Sequence, residues 1–231
     1  MRTRNLLKAA GEAGVRRFVF LSSVKAMAEP GDVCVDEDWL GEPATPYGRA
    51  KRAAEEAVLE SGAKYGMHVV NLRLAMVYGR GGRGNLERMA RGIRAGWFPP
   101  LPETGNRRSL VHVDDVVAAM RLVAQAPAAN GRTYIVAEPR AYSGREIYDA
   151  IREAVGRAPS HWRVPDSLLR LGGILGDGLG KLSGLTLPLN SEVAERLLGS
   201  ACYSPARIER ELGWQACIRL EEGVREMVGG V

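Results

Sequence analysis

Tyr47 and Lys51 stand four residues apart in a stretch opened by Pro46 and filled with alanines. On a helix that spacing puts both side chains on one face, one turn apart. A phenol beside an ammonium is a way to make a base. A tyrosine with the usual pKa near 10 needs roughly 4 kcal/mol of differential stabilisation to fall by about 3 units. A cation about 4 Å away supplies that order of energy at an effective dielectric near 20. The Tyr-x-x-x-Lys spacing recurs by chance, so its weight comes from its neighbours. Ser22 and Ser23 directly follow an apolar run, acidic Asp36, Glu37 and Asp38 lie on the way to Tyr47, and a later run carries Arg73 towards Tyr78-Gly79.

The elements that must position these groups are legible from pattern. Leu6, Leu7, Ala10 and Ala13 recur at helical spacing and predict a helix over about 3–13. Residues 17–22 form an apolar run without alternation, as in a parallel strand covered on both faces. Thr45 can cap a helix over 46–61, with Pro46 in its first turn and Ala50, Ala53, Ala54 and Ala57 on a small-residue face. Strands follow at 68–74 and 133–137, with helices at 86–95, 144–155 and, last, 205–212. Alternating strand and helix means an α/β fold with a parallel sheet. Beyond residue 157 the chain is richer in Leu and Gly and lacks clear strands. We therefore expect two parts, 1–157 and a smaller, mainly helical lobe over 158–231 that interleaves with 80–110.

Composition narrows the function classes. The 231 residues are 45% hydrophobic and 26% charged, which excludes disorder, collagen and coiled coil. A formal charge of +5 suits an anionic partner. Arg80, Arg83, Arg88, Arg91 and Arg94 form a run without interleaved aromatics, so we expect a solvated face and no nucleic acid. Three distant cysteines, Cys34, Cys202 and Cys217, with no C-x-x-C spacing argue against a disulfide framework or a zinc site and for a reducing compartment. No signal peptide is read at the N-terminus, so the expected location is cytoplasmic. Leu168, Leu171, Leu175, Leu179 and Leu182 follow a helix period and predict a buried amphipathic helix; an interfacial helix resting on a membrane is the minor reading, and a membrane-surface partner is not expected.

Arg17-Phe18-Val19-Phe20-Leu21-Ser22-Ser23-Val24-Lys25 followed by Pro46-Tyr47-Gly48-Arg49-Ala50-Lys51 resembles the extended short-chain dehydrogenase/reductase superfamily, and within it the NAD-dependent epimerases and dehydratases of the UDP-glucose 4-epimerase type. Leu72 to Gly79, Asn106 to Asp115 and Glu211-Leu212-Gly213-Trp214 match in family order. The resemblance implies a partial Rossmann fold: a doubly wound parallel sheet lacking its first strands, with a small, mainly helical C-terminal substrate lobe. It implies NAD as cofactor, with NADP not excluded, and a UDP-sugar or related nucleotide-sugar as substrate. Ser23, Tyr47 and Lys51 would be catalytic; Ser22, Tyr47, Lys51 and Leu74 would touch the cofactor; Ser23, Asn85, Leu86, Arg108 and Arg196 would touch substrate. A homodimer through helices 3–13 and 47–61 is implied as well. The resemblance also makes His112, Asp114 and Asp115 a strand-to-helix junction, so no metal is expected.

Some family features are missing. No Gly-rich turn of the kind that seats a dinucleotide pyrophosphate on a helix N-terminus is present, and Gly79 to Gly84 comes after the tyrosine. The expectation is a fragment, a late start or a lost cofactor site. The 17–22 strand would then be an exposed apolar edge, and the chain alone would show no measurable NAD affinity. Met76 stands where the epimerase motif often has Asn, and Leu74 where Pro or Tyr is common. The activity implied is transient oxidation at sugar C4 by a nucleotide-sugar 4-epimerase. A dehydratase or reductase of the same superfamily is the alternative, and a non-catalytic binding or assembly protein the second.

Overall fold

The computed structural model describes residues 2–82, 84–160, 162–183 and 190–229; the side chains at 2, 179–183, 192 and 196 lie outside that description. Its elements are α1 (Arg2–Glu12), β1 (Arg17–Ser23), a 3-10 turn (Val24–Ala26), β2 (Cys34–Val35), α2 (Pro46–Tyr65), β3 (His68–Leu74), β4 (Met76–Tyr78), α3 (Asn85–Ala95), β5 (Leu110–His112) and α4 (Val113–Gln125). After a second 3-10 turn (Pro127–Ala129) come β6 (Arg132–Val136), α5 (Gly144–Ala154), α6 (Asp166–Ser183), α7 (Ser191–Leu198), β7 (Cys202–Tyr203), α8 (Ala206–Leu212) and α9 (Leu220–Gly229).

The main sheet is parallel throughout, in the order β1-β3-β6, with Ser22 opposite Arg73 and Ser23 opposite Leu74. Successive residues of each strand face different helices. Phe18, Phe20 and Val69 pack with Leu7, Ala57 and Val58 of α1 and α2, while Val19, Val70 and Leu72 pack with Val116, Ala119 and Val123 of α4. Both faces are covered, which is why the strands read as continuous apolar runs. The fold is α/β and doubly wound, as expected. Among the described strands β1 has a single neighbour, β3, so its other edge is open, and Leu21 on it is 37% exposed.

A second apolar cluster lies beyond the sheet. Leu86, Met89 and Ile93 of α3 pack there with Ile147, Tyr148 and Ile151 of α5, Leu169 of α6, Leu198 of α7 and Val224 of α9. The sequence reading ended its helices at 212 and missed α9, whose glycine at 223 sits against Tyr78 and His112.

Two expectations are overturned. Cys34 and Cys202 form a disulfide across the parallel pair β2–β7, with Cα atoms 4.5 Å apart and a sequence separation of 168. Spacing could not show this, because the pair is made by two short strands that meet only in the tertiary fold; the cysteine argument for a reducing compartment falls with it. The second correction concerns α6. Leu168, Leu171 and Leu175 are exposed rather than buried, and the helix turns Leu169, Gly173 and Gly176 inward instead. Leu179 and Leu182 lie outside the described side chains.

Candidate active site

α2 places Tyr47 and Lys51, and its start is fixed by local chemistry. Thr45 Oγ1 accepts from Gly48 N at 3.0 Å, and Pro46 occupies the first turn. Gly48 then allows a close approach. A Cβ at that position would lie 2.2 Å from Lys25 O and 2.8 Å from Pro43 Cβ. The first turn of α2 therefore rests on the backbone of the 3-10 turn that follows Ser23. That turn is capped by Ser23 itself, whose Oγ accepts from Lys25 N at 3.2 Å. The serine and the tyrosine are held on two sides of one backbone contact.

Lys51 Nζ lies 5.8 Å from the centre of the Tyr47 ring and 4.9 Å from that of Phe20, and it donates to Leu21 O at 2.8 Å. The ammonium is thus fixed between β1 and the tyrosine one turn before it. Burial pushes the Lys51 pKa down, and the Glu55 carboxylate one turn further along pulls it back up. Tyr47 is 56% exposed.

Beneath this row lies a buried ion pair that the sequence reading did not single out. Arg73 on β3 donates Nη2 to Glu55 Oε2 at 2.8 Å and Nε to both carboxylate oxygens at 3.1 and 3.2 Å. Ser22 Oγ donates to Glu55 Oε1 at 2.5 Å, so its hydroxyl is engaged under α2. The signal for the pair was present: an acid four residues after Lys51, and an arginine inside an apolar strand. Leu74, half-buried at the end of β3, packs against the α4 side of the core.

The substrate candidates gather elsewhere, around a cavity of about 460 Å³. Asn85, Leu86 and Arg108 line it together with Arg88, Arg91, Met76, Trp97 and Phe98. Ser23, Tyr47 and Lys51 are not among its lining residues. Asn85 and Leu86 open α3, where free N–H groups favour anions. Arg108 is held rigidly. Its N–H donates to Tyr142 O at 2.9 Å, its carbonyl accepts from Tyr142 N at 3.0 Å, and its Nη1 donates to Gly199 O at 2.8 Å. Arg196 lies on α7, but its side chain is outside the described part, as is Arg83. Trp97 and Phe98 were missed, since two aromatics after a helix carry no signal until the loop folds back.

His112 caps α4 by accepting from Asp114 N at Nδ1, 3.4 Å away, and Asp115 accepts from the N–H groups of Cys217 and Ile218 at 2.9 and 3.0 Å. Asp115 therefore staples the C-terminal segment to the helix start. His112, Asp114 and Glu226 do approach within 4.8 Å of one another, but Asp114 faces Nδ1 and Glu226 faces Nε2. Asp114 lies 3.8 Å from Nδ1 and Glu226 3.9 Å from Nε2, so the two carboxylates approach opposite ring nitrogens of the buried imidazole.

Over 97% of its length the chain is 29% identical to the UDP-glucose 4-epimerase of Vibrio cholerae, and over 96% it is 23% identical to the N-acetyl-alpha-D-glucosaminyl-diphospho-ditrans,octacis-undecaprenol 4-epimerase of Escherichia coli O157:H7. These alignments take in 66% and 67% of the relatives, so the chain spans about two thirds of their length. The crystal structure of the Thermus thermophilus UDP-glucose 4-epimerase in complex with NAD superposes with a TM-score of 0.68 at 25% identity, covering 99% of this chain and 68% of that one. Residues 1–137, more than half the chain, match the family model for NAD dependent epimerases and dehydratases, and the protein belongs to that family.

Proposed function

We propose that this chain is the catalytic and substrate-binding part of a nucleotide-sugar 4-epimerase of the UDP-glucose/UDP-galactose type, with NAD as cofactor. The observation that carries the reading is the convergence of Asn85, Leu86 and Arg108, from two separate segments of the chain, on one cavity whose rim is basic. The guanidinium of Arg108 suits a diphosphate through paired, charge-assisted hydrogen bonds. Trp97 and Phe98 give the nucleotide end a flat apolar surface.

The residues present fit the nicotinamide end of the cofactor, where Tyr47 and Lys51 would hold it; the Gly-rich turn for its pyrophosphate is not part of this sequence. Held there, NAD would supply a reversible hydride acceptor at the sugar carbon. Tyr47 takes the proton of the sugar 4-hydroxyl and later gives it back. Lys51, already fixed on Leu21 O, keeps a positive charge beside the phenolate. Ser23 holds the oxygen that alternates between hydroxyl and ketone. The dehydratase reading needs an acidic pair beside the serine, and Val24-Lys25 supplies none. Homodimerisation through α1 and α2 belongs to the same proposal; Ala50 and Ala53 are exposed on α2, whereas Ala54 and Ala57 are buried within the chain.

The test has two arms. UDP-glucose titrated into the chain should change tryptophan fluorescence through Trp97, and Arg108→Ala should weaken that binding by roughly 10- to 100-fold, the range of one charged hydrogen-bonded contact. In the complete gene product, UDP-glucose should give UDP-galactose, and Tyr47→Phe should abolish turnover with nucleotide binding nearly unchanged. Undiminished turnover would refute Tyr47 as the base.

A further inference from the structure

The 18 residues of α6 are amphipathic in the wrong sense for a helix that only completes a core. Leu169, Gly173 and Gly176 are buried, and a Cβ on Gly173 would sit 3.0 Å from Ser191 Cα and 3.1 Å from the Asn190 carbonyl. Backbone packs on backbone there, at the start of α7. The opposite stripe carries Leu168, Leu171, Ile174 and Leu175, each at least 50% exposed. These positions fall on one face at a helical repeat. Four large aliphatic side chains on one exposed stripe mark an interaction surface rather than scattered surface residues.

The surroundings of the stripe say what it fits. Trp162, 65% exposed, lies four residues before the first residue of the helix, and its segment runs beside the loop after α3: Val164 N donates to Pro100 O at 3.1 Å, and Arg157 Nη2 donates to Arg94 O at 2.7 Å. Trp97, 62% exposed, lies on that same loop. Arg94, Arg157 and Arg163 are exposed along the seam, with Asp166 as the acid at the helix start; Arg170 is paired with Glu195 of α7. We propose that this face, the leucine stripe of α6 with Trp97, Trp162 and the seam arginines, seats the protein on an anionic lipid surface. Tryptophans favour the headgroup level, aliphatics the acyl boundary just below it, and arginines the anionic headgroups. The formal charge of +5 acts in the same direction. Among the described residues no helix is long and apolar enough to cross a membrane, so α6 lies on the surface. A two-fold pairing of this face with a second copy would set the arginines of one seam against those of the other, which disfavours that occupant.

This seat shares Trp97 with the substrate cavity, which places the two side by side, but its test reads vesicle binding through Leu171 and Leu175 and so stands or falls apart from the reaction proposed above. The test is flotation of the purified chain with vesicles of phosphatidylcholine containing one quarter phosphatidylglycerol, against pure phosphatidylcholine. The protein should float with the anionic vesicles, less so at high salt. The double variant Leu171→Glu/Leu175→Glu, at exposed positions, should keep its far-UV spectrum and melting temperature and partition at least about tenfold less, as expected when apolar area is withdrawn from the interface. Wild-type protein that stays in the buffer, or a double variant that floats undiminished, overturns the proposal. So does a dimer, seen by sedimentation, that the double substitution dissociates without any vesicle binding.

Discussion

The Glu55–Arg73 pair shows what a single buried charge commits a fold to. Glu55 is 3% exposed and Arg73 7%, and each is satisfied mainly by the other. Removing one partner leaves the other charge buried and alone, which costs about 3–5 kcal/mol, whereas replacing both with apolar groups of similar size is often close to neutral. Arg73→Met should therefore be destabilised by about that amount in urea unfolding, and the double variant Glu55→Met/Arg73→Met should recover most of it. Glu138 is a second case. It accepts from Tyr78 at 3.0 Å and from Tyr142 at 2.6 Å, yet burial dominates and raises its pKa above the ordinary 4.5. A group whose folded pKa is raised contributes stability that is full below the unfolded pKa and is lost as pH rises through the folded one. The stability of the wild type relative to Glu138→Gln should thus fall as pH is raised from about 4.5. Urea melts of both proteins across that range check it; a difference that does not change with pH would contradict the assignment.

At the scale of elements, the first turn of α2 matters most, because it decides where the tyrosine points. Thr45→Ala removes the cap and should lower stability by about 1 kcal/mol without moving the helix. Gly48→Ala is a different perturbation. The added carbon meets the backbone oxygen of Lys25 at 2.2 Å, so the helix start or the turn after Ser23 must shift. Turnover in the complete gene product should drop much further for Gly48→Ala than for Thr45→Ala at equal loss of stability. Equal turnover would mean that the contact between the two segments does not set the site. The start of α2 and the extent of β1 were readable because the cap, Pro46 and the apolar run are local signals, whereas α2 continues past the expected end at 61 to Tyr65. The orientation of α6 was not, since periodicity gives a face and not which side it turns.

For the whole molecule, the Cys34–Cys202 disulfide joins the loop between Ser23 and Tyr47 to the segment beside Arg108. The same loop is held by Arg107 Nη2 on Asp32 O at 2.9 Å, by Ser200 Oγ on Asp32 Oδ1 at 2.7 Å and by Ile135 N on Glu37 Oε1 at 2.7 Å. Closing so long a loop constrains the unfolded chain, so reduction with a dithiol should lower stability by about 2–5 kcal/mol. Cys34→Ser should melt lower than the oxidised protein and be insensitive to the dithiol. An unchanged melting temperature on verified reduction would show that the neighbouring hydrogen bonds suffice.

The sequence by itself determined the elements of the sheet and the helix that carries Tyr47 and Lys51, because each depends on local spacing, capping or an apolar run; Asn85, Leu86 and Arg108 were named only through the family resemblance, and it is the fold that brings them to one cavity. The tertiary structure alone decided the disulfide, the Glu55–Arg73 pair, the C-terminal helix against Tyr78 and the outward turn of the α6 leucines. Those depend on which distant segments meet, and a one-dimensional pattern records the faces of an element without naming what covers them.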